Sequence, residues 1–107
     1  MDIQFRNIGD HRVIRVSGEV DLYNVGKLKK ALFNITDGTH RSVIVDMRDV
    51  NYMDSSGIGT LVAGHKKMRA HNGKLALLNP HEDVLNILRL ATLDKFFKIY
   101  WSEYEIL

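Results

Sequence analysis

The pattern of apolar and polar positions predicts two strands near the start of the chain. Apolar and polar residues alternate along Ile3–Arg6, as they do in a strand with one buried face. β-branched residues dominate Val13–Val16, and a turn that contains Gly9 lies between the two segments. Two strands joined by so short a turn indicate an antiparallel hairpin. We expect the chain to leave the sheet at Gly18–Asp21.

Three later segments carry apolar residues at the spacing of one helical face. They are Val25–Ile35, Ile58–Met68 and Val84–Ala91. Asn24 is expected to cap the first helix, because asparagine is a favoured N-cap residue. Asn72–Gly73 is expected to end the second helix, with Gly73 able to take a left-handed conformation.

The remaining apolar runs predict the centre of a sheet. Val43–Met47 is almost continuously apolar, which is typical of a strand covered on both faces in a parallel sheet. Leu75–Leu78 reads as a second central strand, and Phe96–Tyr100 as a last short one. Strand, helix and strand in succession form a βαβ unit. The predicted fold is an α/β domain with a mixed, mostly parallel sheet of about five strands and helices packed against it.

Composition narrows the class of protein. The chain has 107 residues, of which 45% are hydrophobic and 26% charged, and residues 1–107 are expected to form one domain. It contains no cysteine, which excludes disulfides and thiolate ligands and fits the cytoplasm. The net charge of +2 without a basic tract argues against nucleic-acid binding. No apolar run is long enough to cross a membrane. We expect the protein to be a monomer when free, because no long apolar stripe is visible on the predicted surface.

The stretch Asn51–Gly59 holds the candidate chemistry. It lies between a buried strand and a predicted helix, and it contains an acid, two serines and two glycines. A helix start offers unpaired N–H groups and favours anions. Asp54, Ser55 and Ser56 are all good N-cap residues, so the residues alone support either a plain cap or an anion-friendly helix start. A binding module for a small anion or nucleotide is a further alternative.

An enzyme is not expected. Neither serine has the flanking residues of a hydrolase nucleophile, and His65 lies more than two helical turns from Ser55. The five histidines are scattered without metal-binding spacing, so no metal or cofactor is predicted. We interpret His65 as a residue of a helix face and the other histidines as surface residues.

The segment Val45–Gly59 closely resembles the signature of bacterial anti-sigma factor antagonists, which are single-domain proteins of the STAS family. Gly18–Asp21 resembles the acidic turn that follows the second strand in this family. Leu93–Ile99 resembles the segment before its last strand. The central motif is specific, and the two weaker ones occur in the right order and spacing.

The resemblance implies partner switching by a protein that is not itself a catalyst. The unmodified protein would bind an anti-sigma factor that is also a serine kinase, and this binding would release the sigma factor. The kinase, using its own ATP and magnesium, would phosphorylate Ser55 and so weaken the complex, and a serine phosphatase would restore it. Ser56 would hold the helix start while Ser55 is modified. The residues implied in partner binding are Asp21, Asn24, Asp54, Ser56, Gly57 and Ile58.

Two points stay open at the level of sequence. STAS-like domains also serve as accessory subunits of lipid transporters and as parts of signalling scaffolds, which are not regulated by phosphorylation. The chain also departs from the resemblance at Leu22–Asn24, where the family often has small or hydroxyl residues. Tyr23 is expected either to tune the choice of partner or to pack.

Overall fold

The computed structural model describes residues 1–107 as five strands, three α-helices and one short 3-10 helix. In chain order these are β1 (Asp2–Ile8), β2 (His11–Val20), α1 (Val25–Ile35), β3 (Ser42–Met53), α2 (Ser55–Ala70), β4 (Lys74–Leu78), α3 (Glu82–Leu90), β5 (Lys98–Tyr100) and the 3-10 helix Glu103–Glu105.

The strands form one sheet in the order β1-β2-β3-β4-β5. β1 and β2 pair antiparallel as the predicted hairpin, and Gly9 in the connecting turn has a positive φ of 57°. All other neighbouring strands pair in parallel, with α1, α2 and α3 as the three crossovers. The prediction of a mixed, mostly parallel α/β sheet is therefore confirmed.

The two faces of the sheet are covered differently. Buried residues of all three helices share one core cluster with Val43, Val45 and Met47 of β3. Ile44 faces the other way, into a smaller cluster that includes Ile106 from the end of the chain. All of Val43–Met47 is at most 2% exposed, so the prediction of a strand buried on both faces is confirmed. The second cover is a short C-terminal segment, whereas the first is a layer of helices.

Two strands run further than the sequence pattern predicts. The chain does not leave the sheet at Gly18, because β2 continues to Val20 in pairing with β3. Gly18 has a φ of +92°, and the register shifts on either side of it, which lets the strand pass an irregularity without losing the sheet. β3 likewise continues to Met53, so Asn51–Met53, the first part of the candidate stretch, is strand.

The end of α2 also differs from the prediction. Asn72, with a φ of +60°, takes the left-handed conformation that was expected of Gly73. Gly73 is instead required for space, because a Cβ there would lie 2.8 Å from Met68 Cε and 3.1 Å from the Arg41 carbonyl oxygen. Asparagine tolerates the left-handed region well enough to serve as this helix terminator.

The last strand is shorter than predicted. It begins at Lys98, and Phe97 before it turns into the helix-side core, where it is 5% exposed. None of the helices combines the length and the apolar character that crossing a bilayer requires.

Candidate functional site

The candidate site forms where the ends of β2 and β3 meet at the carboxyl edge of the sheet. Val20 and Met53 are paired, and the Asp54 N–H donates to the Val20 carbonyl oxygen over 3.1 Å. The Leu22 N–H in turn donates to Asp54 Oδ2 over 3.0 Å. The connection from β2 to α1 therefore lies against the junction of β3 and α2. Ligand sites of open parallel sheets usually lie at this edge.

Asp54 is the N-cap residue of α2. Its Oδ1 accepts hydrogen bonds from the backbone N–H groups of Ser56 (2.9 Å) and Gly57 (3.4 Å) and from the Ser56 hydroxyl (2.5 Å). The Ser56 hydroxyl above all, and then the backbone N–H groups, hold the pKa of the Asp54 carboxyl below its usual value. The prediction that Ser56 holds the helix start is wrong, because Asp54 does so and Ser56 lies inside the first turn.

The two serines have different environments. Ser55 is the first residue of α2, is exposed, and makes no side-chain hydrogen bond within the chain. Ser56 is half-buried, and its hydroxyl donates to Asp54. The helix start consequently presents the Ser55 hydroxyl to solvent and retains the Ser56 hydroxyl in the cap.

Asp21 and Asn24 build the turn beside Asp54. Asp21 Oδ1 accepts from the N–H groups of Tyr23 (2.9 Å) and Asn24 (3.1 Å). Asn24 Oδ1 accepts from the Asp21 N–H (2.9 Å), and Asn24 Nδ2 donates to the Glu19 carbonyl oxygen (2.8 Å). The prediction that the Asn24 side chain caps α1 is therefore wrong, because this side chain makes no hydrogen bond to the first turn of the helix. Asn24 occupies the N-cap position, but its side chain folds back over the turn.

Gly57 and Ile58 lie beneath this surface. Ile58 is 5% exposed and belongs to the helix-side core. A Cβ at Gly57 would lie 2.5 Å from Met53 Cγ and 3.0 Å from Val20 Cγ1, so the glycine lets α2 approach the sheet. A contribution of these two residues to partner binding would have to act through the position of the helix start.

Three exposed apolar side chains flank the site. The sequence singled out Tyr23, as a residue that tunes the choice of partner or packs, and gave Leu22 and Tyr52 no role of their own. Leu22 is 71% exposed, Tyr23 96% and Tyr52 50%. At this exposure the alternative in which Tyr23 packs against the domain is wrong. The signal that pointed to this feature was the departure from small residues at Leu22–Asn24. Tyr52 carried no such signal in the sequence. Its exposure depends on the extension of β3 to Met53, which the sequence pattern did not predict.

The Ser55 hydroxyl is exposed, and the histidine of the same helix lies far from it. His65 is separated from Ser55 by ten residues of α2, or about 15 Å along the helix axis. No group of three or more His, Cys, Asp or Glu side chains is placed to hold a metal ion. The site therefore consists of an exposed hydroxyl at the positive end of a helix dipole.

Comparison with known proteins identifies the family. The model of the STAS domain matches residues 2–106. This chain belongs to the STAS domain family. Its relatives include the anti-sigma-B factor antagonist of Listeria monocytogenes, which is 30% identical over 99 residues that cover 91% of this chain and 85% of that protein.

Solved structures give the same result for the fold of this STAS protein. Protein TM1081 of Thermotoga maritima superimposes with a TM-score of 0.89 at 26% identity, over 97% of this chain and 90% of that one. The anti-sigma factor antagonist SpoIIAA in its unphosphorylated form superimposes with a TM-score of 0.82 at 23% identity, over 98% and 93% of the two chains. The phosphorylated form of the Bacillus protein gives a TM-score of 0.76 over 98% and 96%. The Listeria monocytogenes relative is thus named as an anti-sigma-B factor antagonist, which is a regulatory protein.

Proposed function

We propose that this protein is an anti-sigma factor antagonist switched by phosphorylation of Ser55. Its unmodified form binds an anti-sigma factor that is also a serine kinase, and this binding releases the sigma factor. Phosphorylation of Ser55 by that kinase, with ATP and magnesium bound to the kinase, weakens the complex. A serine phosphatase returns the protein to its binding form.

The observation that carries this proposal is the difference between the two serines. A kinase needs an acceptor hydroxyl that it can surround and deprotonate, and the exposed Ser55 offers one at the beginning of a helix. The Ser56 hydroxyl is held by Asp54. The relatives named anti-sigma factor antagonists support the class of partner, and SpoIIAA has been solved in a phosphorylated form.

The electrostatics of the site explain why phosphorylation would act on binding more than on folding. A phosphate at the start of α2 gains from the helix dipole, and it is repelled by the adjacent Asp54 carboxylate. These two effects oppose each other within the domain. A partner that buries the site meets about two additional negative charges, which must be desolvated or paired.

A kinase assay tests the acceptor. With the cognate anti-sigma factor and ATP, we expect the wild-type protein to gain one phosphate per chain, Ser56→Ala to gain one as well, and Ser55→Ala to gain none. Ser56→Ala is the matched control because it removes the neighbouring hydroxyl. Labelling that persists in Ser55→Ala and disappears in Ser56→Ala would contradict the assignment.

A binding measurement tests the switch. We expect Ser55→Asp to weaken binding of the anti-sigma factor by at least about tenfold, since truncated or unpaired charges at a desolvated contact typically cost 2 kcal/mol or more. Ser55→Ala should bind like the wild type. Equal affinity of all three proteins would refute a phosphorylation switch. Recovery of lipid-transporter or scaffold subunits without any kinase from cells would favour the alternative functions of STAS-like domains.

A further inference from the structure

A second candidate site lies at the opposite end of α2, away from Ser55. It is a cavity of about 480 Å³ between the C-terminal half of α2 and the β4–β5 edge of the sheet. The other three cavities of the domain measure about 320 to 330 Å³. A volume of this size is within the range of small-molecule sites.

Three cations surround this cavity without an acid among them. Arg69 comes from α2, Lys74 from the start of β4 and Lys98 from β5. None of the three takes part in an ion pair, because the four salt bridges of the chain involve Arg6, Arg15 and Arg89. Three unpaired positive charges around one concave surface repel each other, and a multiply charged anion relieves this repulsion.

The walls between the cations are aromatic and apolar. Phe96 is 37% exposed, and its ring lies 4.4 Å from the His65 ring, centroid to centroid. Tyr100 also lines the cavity, and Lys98 Nζ lies 5.3 Å from its ring centroid. These surfaces accommodate a flat apolar ring beside the charged groups.

His65 gives an independent indication of a ligand. Its Nδ1 is buried and forms no hydrogen bond of normal geometry, which is uncommon for a buried polar atom, although the nearby Leu75 backbone raises the pKa of the imidazole. The ring is held between Phe96 and Phe97, a position that an apolar side chain would fill at lower cost. Burial, and then the charge of Arg69, lower the pKa of His65. An anion in the cavity would favour the protonated imidazole and so offset both effects.

We propose that this cavity binds a small phosphorylated compound that carries a flat apolar ring. The phosphate would lie among Arg69, Lys74 and Lys98, and the ring would contact Phe96 and Tyr100. A guanidinium matches a phosphate group through paired hydrogen bonds, and the two ammonium groups act as additional point charges. The proposed ligand is a free metabolite, and the site is separate from Ser55.

Titration of the isotope-labelled full chain by NMR tests this site with phenyl phosphate, inorganic phosphate and phenol as probes. We expect saturable shifts for phenyl phosphate at millimolar concentration, centred on His65, Phe96 and Tyr100. Inorganic phosphate should bind about tenfold more weakly because it lacks the ring, and phenol should not saturate. The pKa of His65 should rise when phenyl phosphate is bound, since the ligand would balance the charge of Arg69, which lowers this pKa, and of Lys74 and Lys98, which line the same cavity.

Charge-neutralising variants locate the binding. Arg69→Gln and Lys98→Gln should each weaken binding of phenyl phosphate by about tenfold, because each removes a hydrogen bond to a charged group. Lys66→Gln is the matched control, since it removes an exposed charge from the same helix outside the cavity. Its affinity should stay within about twofold of the wild type.

Three results would overturn the proposal. One is the absence of saturable shifts with phenyl phosphate. Another is an equal loss of affinity in Lys66→Gln, which would indicate a general attraction of anions to the surface. The third is a set of shifts centred on the backbone of Ser55 and Ser56, which would place the anion at the start of α2 instead.

Discussion

At the scale of single residues, Asp54 organises the candidate switch. Its carboxylate accepts four hydrogen bonds, from the N–H groups of Leu22, Ser56 and Gly57 and from the Ser56 hydroxyl. The Asp54 side chain thus caps α2, holds the neighbouring turn through the Leu22 N–H, and accepts the hydrogen bond of the Ser56 hydroxyl. Ser55 is left as the exposed hydroxyl of the helix start.

The two glycines of this helix start provide a matched pair for a stability measurement. Gly57→Ala should lower the free energy of unfolding by about 1–3 kcal/mol, because the added Cβ would overlap Met53 in a packed core. Gly59→Ala should raise it by about 0.5–1 kcal/mol, because that position has nothing within 4 Å and alanine favours the helix. Urea unfolding of both variants measures the difference. Equal effects of the two substitutions would mean that Gly57 does not set the approach of α2 to the sheet.

The cap also predicts a pH dependence. Because hydrogen bonds lower the pKa of folded Asp54 below its ordinary value of 3.8, its contribution to stability is present above that value. The contribution is lost as the pH falls through the lower folded pKa. The stability advantage of the wild type over Asp54→Asn should therefore be constant near neutral pH and shrink below about pH 4. Urea unfolding of both proteins across this pH range measures the difference in their unfolding free energies. The other carboxyl groups are the same in both proteins, so their effects cancel in this difference. A stability advantage that grows on acidification would contradict the role of Asp54 as the cap.

At the scale of secondary-structure elements, an ionic contact joins the end of the chain to the sheet. Arg6 of β1 donates to Asp46 of β3 over 3.3 Å and also pairs with Glu103 of the 3-10 helix. Asp46 is 2% exposed, and the Arg48 N–H donates to it over 3.1 Å. Arg6 therefore pairs with one buried and one accessible carboxylate. We expect the two ion pairs to contribute differently to the free energy of unfolding.

Breaking both pairs by removing Arg6, and breaking only the accessible pair by removing Glu103, tests this difference. Arg6→Met leaves the buried Asp46 carboxylate without its counter-ion and should lower the free energy of unfolding by about 1–3 kcal/mol. Glu103→Gln breaks only the accessible pair and should lower it by at most about 1 kcal/mol. Chemical unfolding measures both values. A larger loss in Glu103→Gln would show that the C-terminal contact, and not the buried acid, depends on Arg6.

At the scale of the whole molecule, the sheet brings two distant segments into one surface around Ser55. The turn after β2 contributes Leu22 and Tyr23, and the end of β3 contributes Tyr52. Exposed aromatic side chains next to a modifiable serine suit a contact in which apolar burial supplies affinity and charge supplies the switch.

Tyr23 and Tyr104 form a test and a control for this surface, because both are exposed but only Tyr23 lies beside the candidate site. Tyr23 is 96% exposed beside the site, and Tyr104 is 87% exposed in the C-terminal segment. Tyr23→Ala should weaken binding of the anti-sigma factor by about tenfold or more, with unfolding free energy changed by less than about 0.5 kcal/mol. Tyr104→Ala should leave both quantities unchanged. Calorimetric titration gives the affinities, and a stronger effect of Tyr104→Ala would place the contact on the C-terminal segment.

The sequence by itself determined the elements and the location of the candidate switch. Apolar periodicity fixed three helices and the buried strand Val43–Met47, since burial of side chains follows the helix and strand periods. The acid, hydroxyl and glycine residues at Asp54–Gly59 marked the start of α2, because these residue types suit a helix start in any context.

Only the tertiary structure decided which structural role each residue of that stretch has. Asp54, Ser55 and Ser56 have similar cap preferences, and their roles separate only when the turn after β2 places the Leu22 N–H against the Asp54 carboxylate. The burial of Gly57 depends on Met53 and Val20, which belong to two neighbouring strands. The cavity beside His65 joins α2 to β4, β5 and Phe96 and has no local signature. Such contacts connect residues far apart in sequence, and local periodicity carries no information about them.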